Sequence, residues 1–449
     1  MNPVSVLPSI ADAVDAQRRG RLTATALIES ARDRAARHAD LNALASVDWE
    51  QALAEAAACD REAAAGSLRG PLHGVPVSIK DLFKVRGHTM RAGTRARLPV
   101  FEQVEARAVG RLREAGALIF ATTQMHEIAL GATGENEWTG DVKNPFDPAR
   151  QSGGSSSGAG VAVASGIGLA ALGSDTGGSV RIPANFCGVV GFKPSFGAVS
   201  LEGALPLSWS FDHAGPLARG VDDARWMFEV LSGRSTRHGA VARRPRLAVP
   251  RAWLAARLDT PVREVFERTL ATLAGSGAEL LDVAPAALDR AWTCYTPIVR
   301  AEAAYVHRQA LADGGQGFSA SVSTPMRDGQ QLPAQAYLDA QRQAHEVRAE
   351  LSALLASVDA MMLPTAAILP PLRGQADVRI AGVAIPVRQL VLGQTLPFNV
   401  AGVPALTLPM GRAGDLPVGL QIVGAFDADA RVLALARWCE ERLAAPGAR

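Results

Sequence analysis

Gly173-Ser-Asp-Thr-Gly-Gly-Ser-Val-Arg-Ile-Pro-Ala184, preceded by the apolar Ile167-Gly-Leu-Ala-Ala-Leu172, is the stretch on which the reading turns. It lies in a region, from about Leu72 to Leu231, where short apolar runs alternate with helical patterns, as in an α/β sheet. Leu72-His-Gly-Val-Pro-Val-Ser-Ile-Lys-Asp-Leu-Phe83 reads as a buried strand, Val75 to Ile79, ending on the polar pair Lys80-Asp81. A helix over about 106–115 and a strand over 117–122 follow. Upstream, the stretch to about Gly66 is helical, with Leu27, Ile28, Ala31 and Ala35 on one face and Thr23 as a cap. Downstream, the polar connector 235–245 leads to Arg246-Leu-Ala-Val-Pro250, a return into the same sheet. Helices dominate from Pro261 to Ala356. The last hundred residues revert to strands at 360–364, 405–409 and 418–424, before a helix from Asp429 to about Leu443. One domain is expected over 1–449, in four parts: N-terminal helices (1–66), a core (67–235), a helical segment (261–356) and C-terminal strands and helix (357–449).

The 449 residues include 48% hydrophobic and 20% charged residues, enough apolar material for a large core. A formal net charge of +2 favours neither a nucleic-acid nor a membrane partner. Cys59, Cys187, Cys294 and Cys439 lie far apart, without a CxxC pair. That spacing predicts no metal site and no disulfide framework, and suits a reducing cytoplasm. The first twenty-two residues have no apolar run of the kind a signal peptide needs. Gly158–Gly173 is uncharged but too short to span a bilayer, and its Ala, Gly and Val suit tight packing. A soluble, cytoplasmic protein without cofactor is the expectation.

Two segments carry chemistry. Gln151-Ser-Gly-Gly-Ser-Ser-Ser-Gly-Ala-Gly160 contains a formal G-x-S-x-G centred on Ser156, but a turn precedes it where a nucleophile elbow needs a strand. No Gly-Lys-Ser/Thr follows, so it is not a phosphate loop. In Thr176-Gly-Gly-Ser179, glycines let main-chain N–H groups approach a carbonyl oxygen while Ser179 attacks its carbon. A serine hydroxyl needs a base within reach. His213 is one candidate, although a histidine hydrogen-bonded near the core is the commoner circumstance. Lys80 is another, since burial can lower a lysine pKa until the neutral amine accepts a proton. A structural or solvated lysine is again commoner.

Gly74-Val-Pro-Val-Ser-Ile-Lys-Asp81, Gly153-Gly-Ser-Ser-Ser-Gly158 and the Gly173–Ala184 segment together resemble the amidase signature family. Lys80 precedes Ser155 by 75 residues and Ser155 precedes Ser179 by 24, intervals that fit. Asn144-Pro-Phe-Asp147, Gly188–Ser195, Asp212–Arg219, Pro397-Phe-Asn399 and Leu416–Gly424 extend the match along the chain. The resemblance implies a single α/β domain with a mixed, mostly parallel central sheet covered by helices on both faces. It implies Ser179 as nucleophile, Ser155 after a cis peptide bond as proton relay, and Lys80 as base. Backbone N–H groups of Thr176, Gly177, Gly178 and Ser179 would form the oxyanion hole. Ser156, Asp175 and Arg181 match supporting positions, and Ala129 matches the acyl pocket.

The family spans small-amide, indoleacetamide, mandelamide and fatty-acid amide hydrolases and the glutaminase subunit of glutamyl-tRNA amidotransferase. No N-terminal membrane helix favours the fatty-amide enzymes. The segment before Tyr337-Leu-Asp-Ala340 lacks the arginine-bearing motif of the glutaminase subunit: Arg327 is displaced, Pro325 and Gly329 intrude, and Gln124 stands where that subunit carries Asn. A free-standing amidase for a small or aromatic carboxamide is therefore expected, with a homodimer as the family-level assembly. The alternatives are a glutaminase subunit, an esterase using the same triad, and a catalytically silent assembly subunit.

Overall fold

A computed structural model describes residues 7–99, 105–237 and 239–444. Short apolar runs bounded by glycine, proline or polar turns become strands, since fully buried strands need no alternation. In chain order they are β1 (Leu44–Val47), β2 (Pro76–Lys80), β3 (Leu118–Thr123), β4 (Ala170–Asp175), β5 (Val190–Lys193) and β6 (His213–Ala218). They continue with β7 (Arg246–Val249), β8 (Glu279–Asp282), β9 (Ala360–Pro364), β10 (Asp377–Ile380), β11 (Val383–Pro386), β12 (Ala405–Ala413) and β13 (Leu416–Val423). All but β10 and β11 form one mixed sheet in the order β1-β3-β2-β4-β6-β5-β12-β13-β9-β7-β8; β10 and β11 pair as a separate hairpin.

Parallel pairing occurs in two blocks, β3–β2–β4 and β9–β7–β8. The other six junctions are antiparallel. The mostly parallel expectation thus describes those blocks, while antiparallel pairs run through the middle; the β12–β13 connection, residues 414–415, is too short for a crossover. Alternate residues of β3 enter different apolar clusters, Leu118 and Phe120 on one side and Ile119 on the other. Helices Ala24–Arg37, Trp49–Ala64 and Ser157–Ala164 cover the first side, and Trp49 stacks on Phe120 at 5.5 Å. Helices Arg107–Glu114 and Val221–Ser232 belong to the second. The Thr23 hydroxyl caps its helix, accepting from Ala26 N at 3.0 Å.

The helical stretch from Pro261 is interrupted by β8, which extends the sheet beside β7. No helix among the described residues is long and apolar enough to cross a membrane. The arrangement relevant to function is the parallel neighbouring of β2 and β4, with Ile79 opposite Leu172. It delivers Lys80 and the Ser174-Asp175 pair to the same edge, at the carboxyl ends of the strands, where open α/β sheets place their sites.

Candidate active site

Lys80 ends β2 completely buried. Its Nζ donates to Ser155 Oγ at 2.7 Å and to Ser174 Oγ at 2.8 Å. Burial lowers the lysine from its ordinary value to about 7, against the pull of the Asp175 and Asp212 carboxylates.

The Gly154–Ser155 peptide bond is cis. The Ser155 carbonyl accepts from His126 N at 3.1 Å. Ser156 joins the two serine-bearing loops: its N–H donates to the Ser179 carbonyl at 3.2 Å and its hydroxyl to the Ser174 carbonyl at 3.1 Å. The segment Ser157–Ala164 is a helix, buried throughout except at its end, and no strand leads directly into Ser156.

Asp175 organises the turn after β4. Its carboxylate accepts from Gly178 N at 2.8 Å and Val180 N at 3.1 Å. Arg181 grips the same carboxylate at 3.0 and 2.9 Å through Nε and Nη2. The remaining guanidinium donors reach Thr395 O (2.9 Å), Gln421 Oε1 (2.6 Å) and Asn399 Oδ1 (2.6 Å). Burial alone would raise the Asp175 carboxyl, but the Arg181 charge and hydrogen bonds outweigh it and hold it well below the usual carboxylate range. The fully buried pair therefore has nearly all its polar atoms satisfied, which such a pair requires.

This network corrects one expectation. The Gly178 N–H, counted with Thr176, Gly177 and Ser179 as an oxyanion donor, is directed at Asp175 instead. Gly178 has φ +137°, and a Cβ there would lie 2.3 Å from Thr395 Oγ1. A Cβ on Gly177 would lie 2.4 Å from the Tyr295 hydroxyl, which places that phenol against the loop. Thr176 Oγ1 donates to Asp212 at 2.6 Å, and burial lifts the Asp212 carboxyl to about 6 despite this and the Leu207 and Ser208 N–H groups.

His213 is not brought to Ser179 by any hydrogen bond among the described residues; its Nδ1 faces the Phe211 carbonyl at 2.7 Å. Ala129 lies in the turn Glu127–Ala129, next to His126 and hence near Ser155. Ile128 and Ala129 have φ of 42° and 63°, a left-handed conformation costing each about 1–3 kcal/mol. Cys59, Glu62 and His73 converge closely enough for a metal. Glu62 and His73 are engaged elsewhere, however: Glu62 pairs with Arg69, and His73 bonds the Arg69 N–H and the Cys59 carbonyl.

Sequence reasoning missed Ser174, Asp212, Thr395, Asn399 and Gln421 as participants. All but Thr395 stand inside the matched segments, and Thr395 is two residues before Pro397, so their positions were visible and their partners were not. Tyr295 had no signal, being one aromatic in a helical stretch.

Residues 26–433 match the family model Amidase. A crystal structure described as an amidase superposes with a TM-score of 0.94 at 49% identity, covering 97% of this chain and 100% of that one. The peptide amidase from Stenotrophomonas maltophilia gives a TM-score of 0.80 at 28% identity, covering 99% and 98%. The A subunit of the glutamyl-tRNA(Gln) amidotransferase of Ralstonia nicotianae is 34% identical, over 89% of this chain and 90% of its own.

Proposed function

The chain belongs to the amidase signature family of hydrolases, and from that premise we propose a free-standing amidase that cleaves a small or aromatic carboxamide. The observation that carries the reading is Lys80: a fully desolvated amine, lowered to about 7, bonded to Ser155 Oγ at 2.7 Å. Ser179 Oγ attacks the amide carbon while its proton passes through Ser155 to Lys80. The tetrahedral intermediate is held by N–H groups of the Thr176–Ser179 loop, with Gly178 serving the turn instead. It collapses to an acyl-enzyme as the proton returns through Ser155 to the leaving amine. Water then attacks the ester, releases the carboxylate and restores Ser179. Ser156 and the Asp175–Arg181 pair keep the loops in register, and the strained turn at Ala129 contributes to the acyl pocket.

A glutaminase subunit is the second reading, favoured by relatives of that name. Against it, Arg327 is exposed and donates to the Gly314 carbonyl at 3.2 Å. The test is ammonia or amine release across short aliphatic amides, arylamides, matched esters and glutamine, with fluorophosphonate labelling of wild type and Ser179→Ala. Small or aromatic amides should turn over fastest, and labelling should vanish in the variant. Preferential glutamine hydrolysis would select the second reading, faster ester cleavage an esterase; no labelling and no turnover would refute the enzyme.

A further inference from the structure

Strand β2 ends on the pair Lys80-Asp81, of which Lys80 alone bonds to Ser155. Asp81 is buried, and the carboxylates that pull on Lys80 are Asp175 and Asp212 rather than this neighbour. Its partners lie instead in the segment 91–94. Oδ2 accepts from Arg91 N at 3.1 Å, and the Asp81 carbonyl accepts from Ala92 N at 3.1 Å. The Ala92 and Gly93 N–H groups also favour the carboxylate. Successive main-chain N–H groups turned to one side make a cradle for an anion. This cradle is strained, since Ala92 has φ 50°, a left-handed conformation that a residue with a Cβ rarely adopts. Oδ1 is buried without a partner among the described residues, and burial raises the carboxyl to about 7 despite those N–H groups. The grip on the segment thus depends on an acceptor oxygen, which the carboxyl offers in either protonation state.

The cradled segment in turn braces the turn beside Ser155. Ile128 N donates to the Ala92 carbonyl at 2.8 Å, and Thr94 Oγ1 donates to Glu127 Oε1 at 2.6 Å. Asn136 Nδ2 ties the two stretches, donating to the Gly93 carbonyl at 2.9 Å and to the Met125 carbonyl at 3.1 Å. The junction is tight, for a Cβ on Gly93 would lie 2.9 Å from the Met125 carbonyl oxygen. Ile128 and Ala129, at φ 42° and 63°, are therefore held in a left-handed conformation by a chain of bonds that begins at Asp81. His126, at the start of the same turn, donates its N–H to the Ser155 carbonyl at 3.1 Å. Two strained stretches thus meet at one hydrogen bond, and the residue next to the proposed base anchors the first of them.

We propose that Asp81 is a positioning residue for acyl-group selection: through the segment 91–94 it holds Ile128 and Ala129 in place, and so fixes the wall against which the acyl group of the substrate rests. This builds on the reading of Ala129 as part of the acyl pocket. Asp81 acts on the acyl group only through the turn, and leaves the proton relay from Ser179 to Lys80 intact.

Steady-state kinetics on two amide series test this. One series varies the acyl group from acetamide to benzamide; the other keeps one acyl group and varies the leaving amine from ammonia to aniline. In Asp81→Ala the ratio of kcat/KM between benzamide and acetamide should change by about tenfold or more, chiefly through KM. The ratio across leaving amines should stay within about twofold. Asp81→Asn keeps one acceptor oxygen for Arg91 N and should fall between wild type and Asp81→Ala. Its kcat/KM profile should retain the inflection near 7 that belongs to Lys80. Ala92→Gly removes the penalty on positive φ, so adding it to Asp81→Ala should bring the acyl ratio back by about threefold. Gly93→Ala disturbs the junction with Met125 and should shift the acyl ratio the same way; it stands in for Asp81→Ala should thermal melts show that variant unfolded. Equal losses in both series, a displaced inflection in Asp81→Asn, or no recovery with Ala92→Gly would each overturn the proposal, while wild-type turnover and Ser179 labelling kept the amidase reading standing. Wild type with neither turnover nor labelling would remove both.

Discussion

At Lys80 two effects oppose each other, and their balance sets the chemistry. Loss of solvation disfavours the ammonium, while Asp175 and Asp212 favour it; solvation wins and the pKa falls to about 7. If the neutral amine is the base, kcat/KM for a small amide should rise about tenfold per pH unit below 7 and level off above it. A profile flat from pH 6 to 8 would remove Lys80 from that role. Replacement by Met should lower kcat/KM by about 10²- to 10⁴-fold. The same shift has a signature in stability. Between about 7 and the unfolded value of 10.5 the unfolded chain binds more protons than the native one, so this group makes stability rise with pH in that window. The stability of Lys80→Met relative to wild type should therefore be greater at pH 7 than at pH 10, measured by urea titration; a difference independent of pH would contradict the shift. Lys80 was legible in sequence because it closes an apolar strand inside a matched motif. Its second partner, Ser174, was not, since a hydrogen bond across 94 residues leaves no local trace.

Elements position these residues through the turn that follows β4. Asp175 binds the N–H groups of Gly178 and Val180, and Arg181 fixes Asp175 to the segments at 395–399 and 421. Arg181→Met should destabilise the protein by about 3–5 kcal/mol, because it leaves the Asp175 charge buried without its cation. Chemical denaturation measures this, and a loss below about 1 kcal/mol would refute the clamp. Gly178→Ala makes a sharper demand on geometry, as its Cβ would meet Thr395 Oγ1 and a backbone at φ +137°. It should lower kcat more than it raises KM, with Ser179 labelling slowed in proportion; unchanged labelling would show that the turn tolerates a side chain. The apolar cores of β2, β3 and β9 were readable because fully buried strands appear as uninterrupted hydrophobic runs. Leu44–Val47 and Glu279–Asp282 were not, being four-residue edge strands whose half-exposed sequences carry no decisive period.

At the scale of the molecule, the sheet order divides along the chain. Strands β1–β6 form one contiguous half and β7–β9 with β12 and β13 the other, joined through the antiparallel pair β5–β12. The polar connector 235–245 is the covalent crossing between the halves, and its resemblance to a domain boundary in sequence reflects this. What makes the two halves one domain is non-local and so absent from any local pattern: a shared apolar cluster and the bonds of Arg181 to Thr395, Asn399 and Gln421. The proposed site therefore lies at the seam, with its reacting residues on the first half and part of its support on the second. Trypsin cleavage within 235–245, where Arg243 and Arg244 are exposed, should leave fragments that co-elute on size exclusion and keep amidase activity. As urea is added, the fragments should separate and activity should vanish at the same concentration, since the contacts that hold the halves also hold the turn carrying Ser179. Arg181→Met should move that separation to lower urea in the nicked protein. Separation of the fragments without denaturant would mean that the seam is a domain interface, and activity surviving their separation would mean that the second half does not support the site.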